Sequence, residues 1–235
     1  MHMAEMTTDD FKKAVKKDPI VMIPLGATEA HGSHLPLSAD TIQPEFIAYA
    51  VDSLLDNILV APPLNYALHS TTKNLPGTIN LTFDTVRAVI YDMLTSLYEQ
   101  GIRKIVVITG HAGSGHMTAV SEACKKVVKE TNAQIIFFAD CDIGEECSEL
   151  TDVKNDGHGG LAESSRVLAI RPDLVRCSRP IGEYAGKKYV VHKNASVCFP
   201  VGIVGDTTKA SAELGTAIND YIIERIIGII QNDFE

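Results

Sequence analysis

Residues 105–131 read IVVITGHAGSGHMTAVSEACKKVVKET. An apolar run of strand length, Ile105 to Thr109, gives way to a loop of glycines and histidines and then to a segment whose apolar residues recur at helical spacing, Gly115 to Thr131. The same alternation extends outward in both directions. Val21 to Leu25, Ile58 to Ala61 and Ile135 to Ala139 are further strand-length runs. Helices are predicted over Thr8 to Lys17, Ile42 to Leu55, Asp84 to Gln100, Leu161 to Ala169 and Ala210 to Ile230, with Gly101 and Pro172 punctuating two of their ends. Continuous apolar strands separated by helices need both sheet faces covered, so the pattern predicts an α/β fold with a mainly parallel sheet between helical layers. With 235 residues, no linker-like segment, no internal repeat and no low-complexity tract, the expectation is a single domain over residues 1–235.

Composition removes several function classes. The formal net charge is −9, and basic residues cluster only in pairs such as Lys12-Lys13 and Lys125-Lys126, which is not the footprint of a nucleic-acid binder. No apolar stretch approaches the ~18 residues of a membrane span, and MHMAEMTTDDFKK lacks the apolar core of a signal peptide, so neither membrane nor nucleic acid is an expected partner and the expected location is cytoplasmic. Five cysteines (Cys124, Cys141, Cys147, Cys177, Cys198) without a CxxC suggest reduced, structural thiols.

In such folds ligands collect in loops at the carboxyl ends of strands. The loop after Val21 to Leu25 is GATEAHGSHLPLSAD, residues 26–40. Glu29 and His31 are two apart, so in extended backbone their side chains leave on the same side, and Asp40 follows a Pro-containing loop. Carboxylate, imidazole and carboxylate form an oxygen/nitrogen donor set suited to Zn, Mn or Fe. His34 either faces the same cavity as a substrate contact or only fixes the loop.

The loop after Ile105 to Thr109 admits two readings. Gly110 to Gly115 has the GxxxxG spacing of a phosphate loop, but His116-Met117 stands where Lys-Ser/Thr is required, leaving only backbone N–H groups near Gly113 and Ser114 to meet an anion on a substrate. The preferred reading makes His111 a metal ligand, with His116 a helix-face histidine. A third loop, DGHGGLAESSR at residues 156–166, places His158 among glycines and Glu163 at a helix start. Together Glu29, His31, Asp40, His111 and Glu163 suffice for two divalent ions sharing one carboxylate, an arrangement that activates a water for attack on a carbonyl or phosphoryl centre. Glu122 and Glu213, on or near helices, are read as solvated, as are Tyr66 and Lys73; Tyr91, Met93 and Leu94 are read as core.

These motifs resemble the creatininase family of metal-dependent amidohydrolases. Gly26 to Asp40 is similar to its G-S-x-E-Q-H-G-P-H-L-P-x-x-x-D signature, with Ala27, Ala30 and Ser33 replacing Ser, Gln and Pro. Asn74 to Leu81, NLPGTINL, resembles F-P-G-T-I-S-L; Thr109 to Ser114 resembles N-G-H-G-G-N; His158 to Ser165 resembles H-A-G-E-x-E-T-S; Gly205 to Gly215 resembles G-D-P-x-x-A-T-x-E-x-G. The resemblance implies a three-layer α/β/α domain, often homo-oligomeric, two divalent ions (Zn, Mn or Fe) bridged by Asp40, and His158 on the catalytic side, protonating the leaving nitrogen after a metal-activated water attacks an amide carbonyl. Thr109 and Ser114 replace both asparagines of the second motif, and Leu161 stands where the third has Glu. Creatininases proper have a ligating glutamate at the position of Gly113, so Glu163 would serve instead. The expected substrate is a small-molecule amide, a creatinine-like cyclic amide, although the absence of tryptophan points away from creatinine itself. The alternatives are a deformylase acting on a phosphorylated formamidopyrimidine and a non-catalytic metal-binding oligomer.

Overall fold

The computed structural model describes residues 1–145, 156–187 and 189–234. Four strands, β1 (Ile20–Leu25), β2 (Ile58–Val60), β3 (Lys104–Thr109) and β4 (Gln134–Ala139), form one parallel sheet in the order β2-β1-β3-β4. The described helices are α1 (Thr8–Val15), α2 (Ala39–Leu54), α3 (Phe83–Glu99), α4 (Ser114–Glu130), α5 (Asp140–Glu145), α6 (Leu161–Ile170) and α7 (Ala212–Asp233). The α/β architecture and the parallel sheet are those the sequence predicts.

Strand residues alternate between two cores. Val21, Ile23 and Leu25 of β1, with Ile105 and Val107 of β3, pack against Val86, Ile90 and Leu94 of α3 and Ala119, Val120 and Val127 of α4. On the opposite face Met22, Val106 and Ile108 meet Ile47 and Val51 of α2 and Ile218, Ile222 and Ile226 of α7. Burying both faces explains why the strands read as unbroken apolar runs, and each fully buried isoleucine contributes about 1.5–3 kcal/mol.

Two strand ends are shaped to receive one helix. A Cβ on Gly26, just past β1, would lie 2.2 Å from Thr41 Oγ1, and a Cβ on Gly110, just past β3, would lie 2.2 Å from the carbonyl oxygen of Asp40 and 2.8 Å from Pro44 Cδ. Pro44 has no N–H to donate back to the Asp40 carbonyl. The first turn of α2 therefore sits against backbone at the carboxyl ends of two adjacent strands, and it carries Asp40 with it.

The structure moves some predicted boundaries. Helix α2 begins at Ala39 rather than Ile42, because the Ser38 carbonyl accepts from the N–H groups of both Thr41 and Ile42 (2.9 Å each), which makes Asp40 a first-turn helical residue. Helix α7 begins at Ala212, where the Ser211 hydroxyl accepts from Leu214 N–H at 3.2 Å. Not anticipated are α5, which follows β4 directly, and an antiparallel pair of two-residue strands, β5 (Ile181–Gly182) and β6 (Gly205–Asp206); both are too short to show a period. Among the described residues no helix is long and apolar enough to cross a membrane.

Candidate metal centre

Leu25 and Thr109 are register partners at the ends of β1 and β3, so the loops that follow start side by side. The first is closed by Glu29 N–H donating to the Leu37 carbonyl at 2.9 Å. Inside it, His31 Nδ1 lies 3.0 Å from the Glu29 carbonyl and donates to it, which leaves Nε2 with the lone pair. In the second loop the Thr109 hydroxyl accepts from His111 N–H at 3.1 Å, and His111 Nε2 donates to the Leu68 carbonyl at 3.0 Å, leaving Nδ1 free to ligate. Each ring is thereby oriented by a backbone carbonyl on its far side, the usual partner of a metal-binding histidine.

Asp40 lies between them. Its Oδ1 is 2.8 Å from His31 Nε2, which is itself 3.4 Å from Glu163 Oε2; its Oδ2 is 3.2 Å from His111 Nδ1, which is 2.8 Å from Glu29 Oε2. Two of these atoms, His31 Nε2 and Glu29 Oε2, are buried and make no hydrogen bond despite their close neighbours. Donor atoms packed together but not aligned on one another are aimed at a common point, which is the demand a cation satisfies. Ligand atoms of His31, Asp40 and Glu163 lie within 4.8 Å of one another, as do those of Glu29, His69 and His111 and those of Glu29, His31 and His158. The residues present fit divalent metal, with His31 and Glu163 on one side of Asp40 and Glu29 and His111 on the other.

Electrostatics follow from burying three carboxylates in one place. Burial works against ionisation of Asp40, yet His31 and His111 hold its carboxyl well below the usual range. Burial also opposes charge on His111, but Asp40 and Glu29 outweigh it and push its pKa up to about 10; His31 is likewise raised, against burial, by Asp40 and Glu163. Glu163 is pulled to about 2, again against burial, chiefly by His31. Without a cation, protons on histidine balance the carboxylates, and an entering ion displaces them.

A cavity of about 560 Å³ opens beside these groups, lined by Asp40, His111, Gly113, Asp156, His158 and Glu163 among others, with Arg166 and Phe199 on its wall. His158 Nε2 donates to the Ala30 carbonyl at 2.8 Å; its ring lies 4.1 Å from that of His31 and edge-on to Phe199 at 6.1 Å. Glu163 is placed by the Gly159 N–H, which donates to Oε2 at 2.8 Å, while the Asp156 carboxylate caps α6 by accepting from Leu161 and Ala162 N–H at 2.6 and 2.8 Å. Behind α6, Arg166 donates to Asp140 Oδ2 at 2.6 Å and to Asn219 Oδ1 at 2.8 Å, tying α6 to α5 and α7.

The structure thus brings together Glu29, His31, Asp40, His111, Glu163 and His158. It also puts Gly113 on the cavity wall, where a Cβ would run into His111 Nε2 at 2.6 Å. Two other candidates lie off that wall. Ser114 is exposed at the start of α4, and His34 is buried with Nε2 2.7 Å from Ser164 Oγ on α6. His116 is wholly buried on α4, 5.2 Å edge-on from the His111 ring, and burial lowers its pKa to about 3. Glu122 and Glu213 are exposed and Leu94 is core, as read from the sequence; Cys147 and Lys188 lie outside the described residues. Sequence reasoning missed His69, Thr72, Asp156 and Arg166. For the first two a signal existed, since they sit in the segment that leaves the carboxyl end of β2.

The chain is similar to known proteins. A sequence model of the creatininase family, described as creatinine amidohydrolase, matches residues 4–230. The creatinine amidohydrolase of Pseudomonas putida is 24% identical, over 99% of this chain and 96% of its own length. The mycofactocin precursor peptide peptidase of Mycobacterium ulcerans is 27% identical, over 97% and 91%. In three dimensions the chain matches a solved creatininase with manganese at a TM-score of 0.91 and 23% identity, over 99% of this chain and 98% of that one, a likeness of fold.

Proposed function

The chain belongs to the creatininase family, hydrolases of C–N amide bonds, and on that premise we propose that it cleaves an amide of a small molecule with a water activated by two divalent ions. The observation that carries this reading is the division of Asp40, with Oδ1 toward His31 and Oδ2 toward His111 and unpaired donor atoms on both sides. Glu29, Asp40 and His111 would hold one ion, and His31, Asp40 and Glu163 the other, with zinc, manganese or iron suited to the mixed oxygen and nitrogen donors. When bound, such a pair supplies Lewis acidity toward a carbonyl and lowers the pKa of a water.

The chain's own residues supply the rest. His158 stands at the cavity with Nε2 occupied by the Ala30 carbonyl, so Nδ1 is the atom at which a proton would be held and passed to the leaving nitrogen. The backbone carbonyls of Glu29 and Leu68 keep His31 and His111 oriented, and Phe199 lines the cavity edge-on to His158. The cavity is of small-molecule size. A creatinine-like cyclic amide is the first candidate. A phosphorylated formamidopyrimidine is the second, favoured by one observation: Gly113, at the start of the 17-residue α4 with no side-chain cap, faces the cavity and offers an N-terminal helix dipole to an anion. A cytoplasmic homo-oligomer is the form we propose, on the family resemblance and on the four described cysteines, all free thiols.

The deciding experiment is an assay of metal-reconstituted protein against creatinine, a small formamide and a phosphorylated formamidopyrimidine. C–N cleavage of at least one is expected. Turnover of a phosphate ester with no amide cleaved would overturn the amidohydrolase reading, and stoichiometric metal with no turnover of any kind would leave the non-catalytic metal protein in its place.

A further inference from the structure

His69 belongs to none of the motifs that mark the site in the sequence, yet it lies in the site. It is 1% exposed, and neither ring nitrogen has a hydrogen-bond partner. A buried polar group left unsatisfied is destabilising, so a ring with two such atoms in a packed interior calls for a ligand. Its backbone is fixed by His69 N–H donating to Asn80 Oδ1 at 2.7 Å, next to a bridge between Ala67 and Asn80, so the ring is not free to swing out to solvent.

What the ring faces is specific. His69 Nε2 lies 3.6 Å from Glu29 Oε2, and its ring centroid is 4.7 Å from that of His111. The other oxygen of Glu29 accepts from the Thr72 hydroxyl, three residues after His69, which leaves Oε2 as the atom offered to a cation. His111 Nδ1 is 2.8 Å from the same Oε2. Neighbouring donors around a tetrahedral zinc with bonds of about 2.0–2.1 Å are separated by about 3.3 Å, and these two spacings bracket that value.

The geometry points to His69 as a fourth protein donor, beside Glu29, His111 and Asp40, to the ion held on that side of the site. This inference rests on the two-ion reading and makes the two ions unequal. One is met by two imidazoles, Glu29 and a share of Asp40; the other is met by one imidazole, Glu163 and the remaining share of Asp40. Nitrogen-rich coordination suits zinc over manganese, so the first site retains zinc when the second exchanges.

The test uses the whole protein, stripped with a chelator, labelled with nitrogen-15 at histidine and reloaded with cadmium-113. In the unmodified protein one cadmium resonance should couple to two imidazole nitrogens and the other to one. In His69→Gln the first should fall to one coupling and its ion should bind at least ~10-fold more weakly, the lower bound for disturbing a metal site through an outer partner, while the second is unchanged. A single coupling on each cadmium of the unmodified protein overturns the inference without touching the two-ion reading. So does undiminished affinity in a His69→Gln protein whose circular dichroism shows it folded. An unmodified protein that binds no cadmium overturns both.

Discussion

The two halves of the candidate site are built by different means. Glu29 and His111 stand just beyond β1 and β3, whose ends are locked in register at Leu25 and Thr109, and both are buried. Glu163 and His158 belong to α6 and the loop before it, keep 17% and 18% of their side chains exposed, and face the cavity. Sheet register places the first half; a network of side chains, Asp156 on the α6 N–H groups and Arg166 on Asp140 and Asn219, places the second. The strand-borne half is fixed by the ladder of β1 and β3, whereas the helix-borne half, nearer the cavity, rests on the packing of α6 against α7 and on a few buried polar contacts. Asp40 joins the two.

Replacing the joining residue should have the largest effect. Asp40→Asn is expected to lose both ions and all turnover, with a fall in metal affinity beyond the roughly 10- to 100-fold seen when an outer-sphere partner is removed. Elemental analysis of purified protein measures it, and full occupancy would refute the sharing. Glu29→Ala and His111→Ala should each abolish C–N cleavage with the fold retained, since the sheet and not these side chains holds their loops. Near-normal turnover at matched metal loading would place the chemistry elsewhere.

The helix-borne half should instead answer to its supports. Arg166→Met leaves Asp140 buried without its partner and is expected to cost about 3–5 kcal/mol, read as a lowered Tm. An unchanged Tm would mean that α6 is positioned by packing alone. Chelation should lower the Tm of the unmodified protein by an amount equivalent to ~2.7 kcal/mol for each ion that had been present at 100 times its Kd. Loading also has a pH signature. The pKa of His111 is about 10 without a cation, so at neutral pH an incoming ion must displace its proton; affinity then weakens on acidification and strengthens as pH rises toward 10. Calorimetry in buffers of different ionisation enthalpy would show this, and zero proton release would contradict it. The smallest effect is expected for His34→Gln, which loses the contact to Ser164, about 1 kcal/mol, while keeping its metal.

The same contrast explains what the sequence disclosed. Strands buried on both faces must be apolar throughout, so β1 and β3 were visible as runs, and the loops after them, dense in His, Asp, Glu and Gly, announced Glu29, His31, Asp40 and His111 as candidates. The start of α2 lies three residues before the Ile42 that the apolar spacing predicts, because the Ser38 carbonyl begins that helix and no side-chain cap marks the place. His69 escaped notice because β2 is only three residues long and its loop lacks the glycine and histidine density of the others, so proximity to His111 arises only in three dimensions. Arg166 and Asp140, 26 residues apart, meet across helix packing that no local pattern encodes.

The central claim is that one carboxylate serves two cations. Crystals of the protein loaded with zinc, measured on both sides of the zinc absorption edge, test it most directly. The account predicts two anomalous peaks flanking Asp40, one between Oδ1, His31 and Glu163 and one between Oδ2, His111 and Glu29. A single peak, or two peaks with neither in contact with Asp40, would contradict it.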